Sequence, residues 1–177
     1  MDRTDRRSEG EAGIHPRCTE IERSAGGVVI DRNEVVVVVP RRRAADGSKV
    51  LGLPKGHVDP CETALAAAIR EVREEAGVEV QHVAPLGEVR YCYRSDRREV
   101  AKIVVFHLFR YLEGDPANHD EEIEEAFWMP LQEAAHALTY DGERQILERA
   151  MMLVGASPGA PPASPMCHRL PDQTEDR

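Results

Sequence analysis

The spacing of polar residues between Gly56 and Val78 constrains this chain more than any other feature. Gly56 is followed after five residues by Glu62, and after seven more by the segment 70–78 (REVREEAGV). Apolar residues recur here at i, i+3, i+4, i+7 and i+11, namely at Leu65, Ala68, Ile69, Val72 and Ala76. This periodicity predicts a helix over 62–76 that stops at Gly77, preceded by a glycine-containing loop.

Three glutamates of the predicted helix, Glu71, Glu74 and Glu75, stand at i, i+3 and i+4. These positions share a sector of about 100° of the helix, away from the apolar stripe centred on Leu65, Ile69 and Val72. Like charges at this spacing destabilise a helix by roughly a few tenths of a kcal/mol per pair. A solvated acidic face is one interpretation. A divalent cation would instead turn the repulsion into coordination, and carboxylate oxygens favour Mg²⁺ or Mn²⁺. The preceding loop, 53–57 (LPKGH), favours the cation site, because such loops present backbone groups to phosphates and metals.

The rest of the pattern predicts one α/β domain over residues 24–154. Residues 1–23 mix both charge signs with few large apolar side chains, and residues 155–177 begin with GASPGAPPASP, so both segments are predicted to be disordered. Strands are predicted at 26–30, 34–39, 50–53, 89–93, 101–112 and 125–129, and further helices at 131–137 and 141–152. Strands with one helix in the middle and others at the end indicate an α/β sandwich around a mixed sheet.

Composition argues against several classes of function. Asp and Glu (32) outnumber Lys and Arg (23), and a net charge of −9 is poorly suited to duplex nucleic acid. No apolar stretch approaches the roughly 18 residues of a membrane helix, and residues 1–10 lack the apolar segment of a secretion signal. The four cysteines include no C-x-x-C pair. We therefore expect a cytoplasmic protein with reduced thiols, monomeric or homodimeric, that acts without a membrane.

The segment from Gly56 to Val78 fills every fixed position of G-x5-E-x7-R-E-U-x-E-E-x-G-U, where U is aliphatic, and is identified as a Nudix box. Residues 25–29 (AGGVV) also resemble the first strand of Nudix enzymes, and residues 128–131 (WMPL) resemble their late strand-to-helix joint. The likeness covers about residues 24–150. It implies an α/β/α sandwich with a mixed sheet, and hydrolysis of a nucleoside diphosphate linked to another group, with Mg²⁺ or Mn²⁺ as cofactor.

The resemblance also implies roles for individual box residues. The metal-binding carboxylates would be those of Glu71, Glu74 and Glu75. The backbone carbonyl of Lys55 would be a further ligand. Glu71 is the first candidate for the general base that accepts a proton from the attacking water, and Glu74 belongs to the same catalytic group. Arg70 and Glu62 would pair to brace the loop against the helix, which is a structural role.

A second acidic segment, residues 118–125 (NHDEEIEE), offers one more site residue. Several Nudix enzymes place an extra acid about six residues before the tryptophan of the late joint. Counting back from Trp128 gives Glu122, which would be a catalytic acid or base and a metal ligand, with Glu121 as the alternative. A solvated acidic turn remains an equal interpretation of this segment.

Two segments resemble diadenosine polyphosphate hydrolases and their diphosphoinositol-polyphosphate relatives. These are residues 53–58 (LPKGHV) and residues 101–106 (AKIVVF). By this resemblance Lys55, Lys102 and the Arg41–Arg43 cluster would meet the additional phosphates of a small-molecule nucleotide. A base would stack on Tyr93, with Tyr91 and Phe127 as alternatives that could equally pack in the core. Cys61 departs from the pattern, because this group more often has glycine at that position.

Other functions share the box and remain alternatives. One is a MutT-like enzyme that hydrolyses oxidised nucleoside triphosphates, and another is an RNA 5′-pyrophosphohydrolase. The non-enzymatic alternative is a Nudix-derived module that senses a nucleotide without hydrolysing it. Sensors commonly lose acids of the box, and this chain keeps all of them, so hydrolysis is the expectation.

Overall fold

The computed structural model describes residues 20–44, 46–95 and 98–155. The strands are β1 (Glu20–Asp31), β2 (Glu34–Pro40), β3 (Lys55–His57), β4 (Val78–Ser95), β5 (Arg98–Gly114) and β6 (Ile123–Pro130). The helices are α1 (Ala64–Ala76), α2 (Leu131–Ala137) and α3 (Asp141–Leu153), with a short 3-10 turn at Pro116–Asn118. No helix in these ranges is both long enough and apolar enough to cross a membrane.

Five strands form the main path of one sheet, in the order β4-β5-β1-β2-β6, and the short β3 pairs with β1. Strands β1 and β5 are parallel, with Gly26 opposite Phe106, whereas the pairs β1–β2, β2–β6 and β4–β5 are antiparallel. The predicted mixed sheet is therefore confirmed. The first hairpin closes through the two-residue turn Arg32-Asn33, in which Arg32 has a φ of 52°, as such tight turns require.

The sheet is covered on both faces, which explains why β2 is a continuous run of buried valines rather than an alternating strand. Helix α1 packs on one face, where it meets Val29, Val36 and Phe109. Helices α2 and α3 pack on the other face, with Val28, Phe106 and other residues of β1, β2 and β5. The α/β/α sandwich is thus confirmed.

Glycine at position 27 permits the close approach of α1 to the sheet. A Cβ atom there would lie 2.6 Å from the Phe109 ring and 2.7 Å from a methyl group of Val72. A side chain at this position would therefore push α1 away from β1. The helix itself begins at Ala64, two residues after its predicted start, because the Thr63 hydroxyl caps it by accepting a 3.1 Å hydrogen bond from the Ala66 N–H.

Several predicted boundaries change. Strand β1 begins at Glu20, so Glu20–Arg23 belong to the sheet and not to a disordered arm; the other residues of that arm lie outside the described ones. The predicted strand at 50–53 is wrong: only Gly52 forms a bridge, to Val38. Strands β4 and β5 extend well beyond the predicted segments 89–93 and 101–112, and form one long hairpin. The predicted C-terminal tail is described only at Gly155.

Cys61, at the position where the resemblance more often implies glycine, has a φ of 69° in the turn between β3 and α1. This left-handed conformation costs an L-residue about 1–2 kcal/mol, and it is worse for a β-branched side chain. The Cys61 side chain is exposed, so its replacement removes little packing.

We expect Cys61→Val to lower the free energy of unfolding by about 1 kcal/mol or more, because the branched Cβ clashes at positive φ. Cys61→Gly should keep the wild-type value or exceed it by up to about 1 kcal/mol. Urea denaturation followed by circular dichroism measures both. A glycine variant less stable than the valine variant would contradict this account of the turn.

Candidate active site

The residues ahead of α1, called the loop below, include the short strand β3, which differs from the loop predicted at 53–57. This loop touches the helix through Gly56 and Glu71. A Cβ atom at Gly56 would lie 2.2 Å from the Glu71 carboxylate, so no other residue fits without moving that carboxylate. Glu71 is 9% exposed and belongs to the buried face of α1, whereas the predicted core residues Leu65 and Ile69 are only half-buried. The expectation that all three glutamates point away from the core is therefore wrong for Glu71.

Arg70 connects the acids of the box. Its Nη1 donates to Glu71 Oε1 at 2.7 Å and to Glu74 Oε2 at 3.0 Å, and its Nη2 donates to Glu62 Oε2 at 3.0 Å. The same Nη2 also donates to the His57 backbone carbonyl at 2.9 Å. The predicted Arg70–Glu62 brace is confirmed, and Arg70 additionally pairs with two of the predicted metal-binding carboxylates.

Burial changes the proton affinity of two glutamates of α1. It raises the pKa of Glu71, against the opposing effect of Arg70. It also raises the pKa of Glu75 to about 8, although Glu75 Oε2 accepts a 2.7 Å hydrogen bond from the Lys55 N–H. The protein's own hydrogen bonds and charges do not fully offset the cost of burying these carboxylates in their ionised form. A divalent cation would supply the missing stabilisation.

The donor set fits a hard divalent cation. Glu71, Glu74 and Glu75 offer carboxylate oxygens beside the backbone of Lys55, and Gly56 leaves the room that the Glu71 carboxylate needs. Within residues 20–44, 46–95 and 98–155, no three His, Cys, Asp or Glu side chains already enclose an ion position. The Glu71 and Glu74 carboxylates are instead bonded to Arg70, and the Glu75 carboxylate to the Lys55 N–H.

The second acidic segment lies against α1. The Asp120 N–H donates to the Glu74 carbonyl at 2.8 Å, and the Glu122 carboxylate contributes to the raised pKa of Glu71. Arg41 positions this segment: its N–H donates to the Glu122 carbonyl at 2.9 Å and its Nε to the Glu121 carbonyl at 2.6 Å. The structure thus brings Glu122 to the box acids and places Arg41 on the segment's backbone.

A second group of predicted residues, Lys102 and Tyr93, meets at Glu22. The Glu22 carboxylate pairs with Lys102 Nζ and accepts a hydrogen bond from the Tyr93 hydroxyl. His57 Nε2 lies 2.9 Å from Glu22 Oε1. Burial alone would raise the pKa of the Glu22 carboxyl, but the hydrogen bonds from Lys102 and Tyr93 outweigh it and hold that pKa below its usual value. His57 joins the two parts of the site, because its carbonyl binds Arg70 and its ring binds Glu22.

Sequence reasoning missed Glu22, because it assigned residues 1–23 to an arm. The register of β1 and β5, which places Glu22 directly opposite Lys102, is the signal that identifies it. Of the three aromatic candidates for base stacking, Phe127 packs against the α2 and α3 core, as the alternative expected. Tyr91 is 44% exposed and its ring centre lies 6.4 Å from that of Tyr93.

The Lys55 ammonium group pairs with Glu143 of α3. Its Nζ lies 3.0 Å from Glu143 Oε1 and donates to the Leu53 carbonyl at 3.2 Å. Burial would lower the pKa of Lys55, but the Glu143 and Glu75 carboxylates outweigh it and hold that pKa above its usual value. Sequence reasoning missed Glu143 as well, although an acid on the apolar face of α3, in register with Ile146 and Leu147, is an available signal.

The comparisons with known proteins agree with this geometry. A family model described as NUDIX domain matches residues 20–150. The chain is 38% identical over 169 residues to MutT4 of Mycobacterium tuberculosis, which covers 88% of this chain and 67% of the relative. It is 27% identical over 142 residues to the asymmetrical bis(5′-nucleosyl)-tetraphosphatase of Rattus norvegicus, covering 76% of this chain and 97% of that relative.

A solved structure shows the same fold. The NUDIX hydrolase from Nitrosomonas europaea matches with a TM-score of 0.60 at 20% sequence identity, covering 77% of this chain and 91% of the other.

The raised pKa of Glu75 predicts a stability that depends on pH in the absence of metal. The folded protein holds this proton up to pH of about 8, whereas the unfolded chain releases it near 4.5. The contribution of Glu75 to folding stability is therefore fully present below pH 4.5 and is lost as the pH rises through about 8. Glu71 contributes in the same direction.

We expect urea denaturation in EDTA to show this loss in the wild type, and a flatter profile in Glu75→Gln, whose neutral amide does not titrate. Glu148→Gln, which changes an exposed acid of α3, is the control and should follow the wild type. Parallel profiles for Glu75→Gln and the wild type would show that Glu75 ionises freely in the folded protein.

Proposed function

The chain belongs to the Nudix family and is a hydrolase, and we propose that it cleaves a phosphoanhydride bond of a dinucleoside polyphosphate, such as diadenosine tetraphosphate, with Mg²⁺ as cofactor. The observation that carries this proposal is the presence of two connected groups. The box acids on α1 suit the scissile diphosphate, and the Lys102–Tyr93–Glu22 group suits phosphates farther along the substrate. His57 contacts both groups.

Mg²⁺, or Mn²⁺ in its place, would be held by the carboxylates of Glu71, Glu74 and Glu75 and by the Lys55 carbonyl, with Glu122 as a further ligand. When bound, the cation neutralises phosphate charge and makes a water more acidic. The protein's own contribution is to keep these oxygens at one place. Arg70 holds Glu71 and Glu74, and the Lys55 N–H holds Glu75.

Glu71 is the general base in this proposal. Its burial makes the carboxylate more basic than a surface glutamate, so it accepts a proton more readily from the attacking water. Arg70 stabilises the ionised form and keeps Glu71 available as an acceptor. Glu122 lies close enough to influence Glu71 and is the second candidate for the base.

The substrate class is supported by the second group of residues and by the tetraphosphatase among the relatives. Lys102 is 16% exposed and supplies a cation near β1, and Tyr91 and Tyr93 offer ring faces to a base. Arg41 holds the acidic segment with its Nε, which supports a positioning role beside any contact with phosphate. Lys55 Nζ is paired with Glu143, so in this proposal Lys55 contributes to the site through its backbone and not through its ammonium group.

A MutT-like nucleoside triphosphatase is the second candidate. The 38% identity to MutT4 favours it, because that relative is more similar than the tetraphosphatase. Both candidates use the same box chemistry, and they differ in the phosphates that lie beyond the scissile bond. The Lys102 group therefore discriminates between them.

The box acids generate the first test. Glu74→Gln and Glu75→Gln should each lower turnover by orders of magnitude at limiting Mg²⁺ because each removes a charged ligand. Folding in EDTA should persist, since the substitutions relieve repulsion. Initial rates of nucleotide formation from diadenosine tetraphosphate, measured against Mg²⁺ concentration, give the effect. Wild-type rates in both variants would place the cation elsewhere.

Ca²⁺ should bind and support turnover poorly because its coordination shell is larger and looser.

The second test separates the two substrate classes. Lys102→Ala should lower kcat/KM for diadenosine tetraphosphate at least about five-fold more than for a nucleoside triphosphate, because a charge-assisted phosphate contact is worth about 1–3 kcal/mol. The box contacts are shared and cancel in the ratio.

Arg98→Ala is the matched control, since Arg98 forms an exposed pair with Glu20 on the same two strands at 2.6 Å. It should affect both substrates equally and slightly. Equal losses on both substrates in Lys102→Ala would favour the MutT-like candidate.

A further inference from the structure

We propose that Glu143, on helix α3, is a positioning residue for the metal-binding loop of the Nudix site. It lies in the opposite helical layer from the box and acts on Lys55 and Leu53. The inference rests on the proposed function, in that the Lys55 peptide and Glu75 are taken as part of the metal site.

Glu143 is held by the loop through both carboxylate oxygens. It is 4% exposed. Its Oε1 lies 3.0 Å from Lys55 Nζ, and its Oε2 accepts a 2.8 Å hydrogen bond from the Leu53 N–H. Lys55 Nζ also donates to the Leu53 carbonyl at 3.2 Å, so the three groups form a closed set of contacts. A carboxylate is needed here because it accepts from an amide and an ammonium group at once.

The same loop is held from the other side by the box helix and by strand β1. The Lys55 N–H donates to Glu75 Oε2 at 2.7 Å, and the Pro54 carbonyl accepts from the Gly27 N–H at 3.0 Å. Carboxylates from two opposite layers therefore hold one residue, Lys55, by its side chain and by its backbone. Loss of the Glu143 contact frees the side chain and lets the peptide beside Glu75 shift.

The space around this contact matches a carboxylate. A Cβ atom at Gly52 would lie 3.0 Å from Glu143 Oε2 and 3.4 Å from Lys55 Nζ, so glycine lets α3 approach the loop. The turn before α3 is docked independently, by a 2.9 Å bond from the Thr139 N–H to the Leu51 carbonyl and a 2.9 Å bond from the Leu51 N–H to the Thr139 hydroxyl. Changing Glu143 should therefore leave α3 in place.

Glu143→Gln tests the inference, because the amide oxygen still accepts from Leu53 while the ion pair with Lys55 is lost. Mn²⁺ binding to the full chain, followed by electron paramagnetic resonance, is the first readout. We expect affinity to fall about ten-fold or more, as for other residues that orient metal ligands. With diadenosine tetraphosphate, kcat at subsaturating Mg²⁺ should fall by a similar factor while KM for the nucleotide stays constant.

Three further single variants and one double variant distinguish positioning from a general loss of stability. Lys55→Met keeps the Lys55 backbone and should reproduce the loss of Mn²⁺ affinity, and adding Glu143→Gln to it should cause no further loss, since both act through one contact. Glu143→Asp keeps the charge and should restore part of the affinity; it carries the test if Glu143→Gln does not fold. Glu148→Gln, exposed on the same helix, should behave as wild type.

The outcomes separate this inference from the proposed function. Wild-type Mn²⁺ affinity and kcat in a folded Glu143→Gln, with only a lower melting temperature, would overturn the positioning role and leave the proposed function standing. A wild-type chain that binds Mn²⁺ but does not hydrolyse dinucleoside polyphosphates would overturn the proposed substrate, and the binding comparison would still decide the role of Glu143. A wild-type chain that binds no Mn²⁺ would overturn both.

Discussion

The site depends on the guanidinium of Arg70, which binds three carboxylates and a backbone carbonyl. Glu62 precedes it at the end of the loop, while Glu71 and Glu74 lie next to it on the helix. Without this cation the helix would carry adjacent unpaired charges, and the loop would lose its bond at the His57 carbonyl. The spacing of the box is therefore the spacing of the groups that one arginine can reach from a helix and from the loop before it.

Close packing around this arginine is what makes the acids basic. Gly56 allows the loop to lie on the Glu71 carboxylate, and Gly27 allows α1 to lie on the sheet, so Glu71 and Glu75 lose water. Their pKa values rise because the ionised forms are poorly solvated. Proton release and metal binding are consequently coupled, since a cation restores to the carboxylates the compensation that burial removed. In the proposed mechanism, the same burial would suit Glu71 to accept a proton during hydrolysis.

The sequence predicted those helix and strand bounds that are determined by local residue patterns. Helix α2 has its predicted bounds, Leu131–Ala137, and the box helix differs by two residues because a threonine cap sets its start. The length of the β4–β5 hairpin was missed because its pairing shifts register near Val80, Ala84 and Gly87, which breaks the alternation of apolar residues. Long-range contacts were missed for a different reason. Glu143 meets a residue 90 positions earlier, which no local spacing encodes.

Glu22 shows why charge alone did not identify the second part of the site. The resemblance identified Lys102 as a candidate phosphate-binding residue, but not its partner Glu22 on β1. Only the parallel register of β1 and β5 places the two residues side by side. The two charges of the Glu22–Lys102 pair cancel, so Lys102 is held in position by its partner rather than left as an unpaired cation. A phosphate that binds it must compete with Glu22, and a weakly charged ligand gains little from that exchange. In the proposed function, selection for a long polyphosphate would then follow from the Glu22 carboxylate as much as from Lys102.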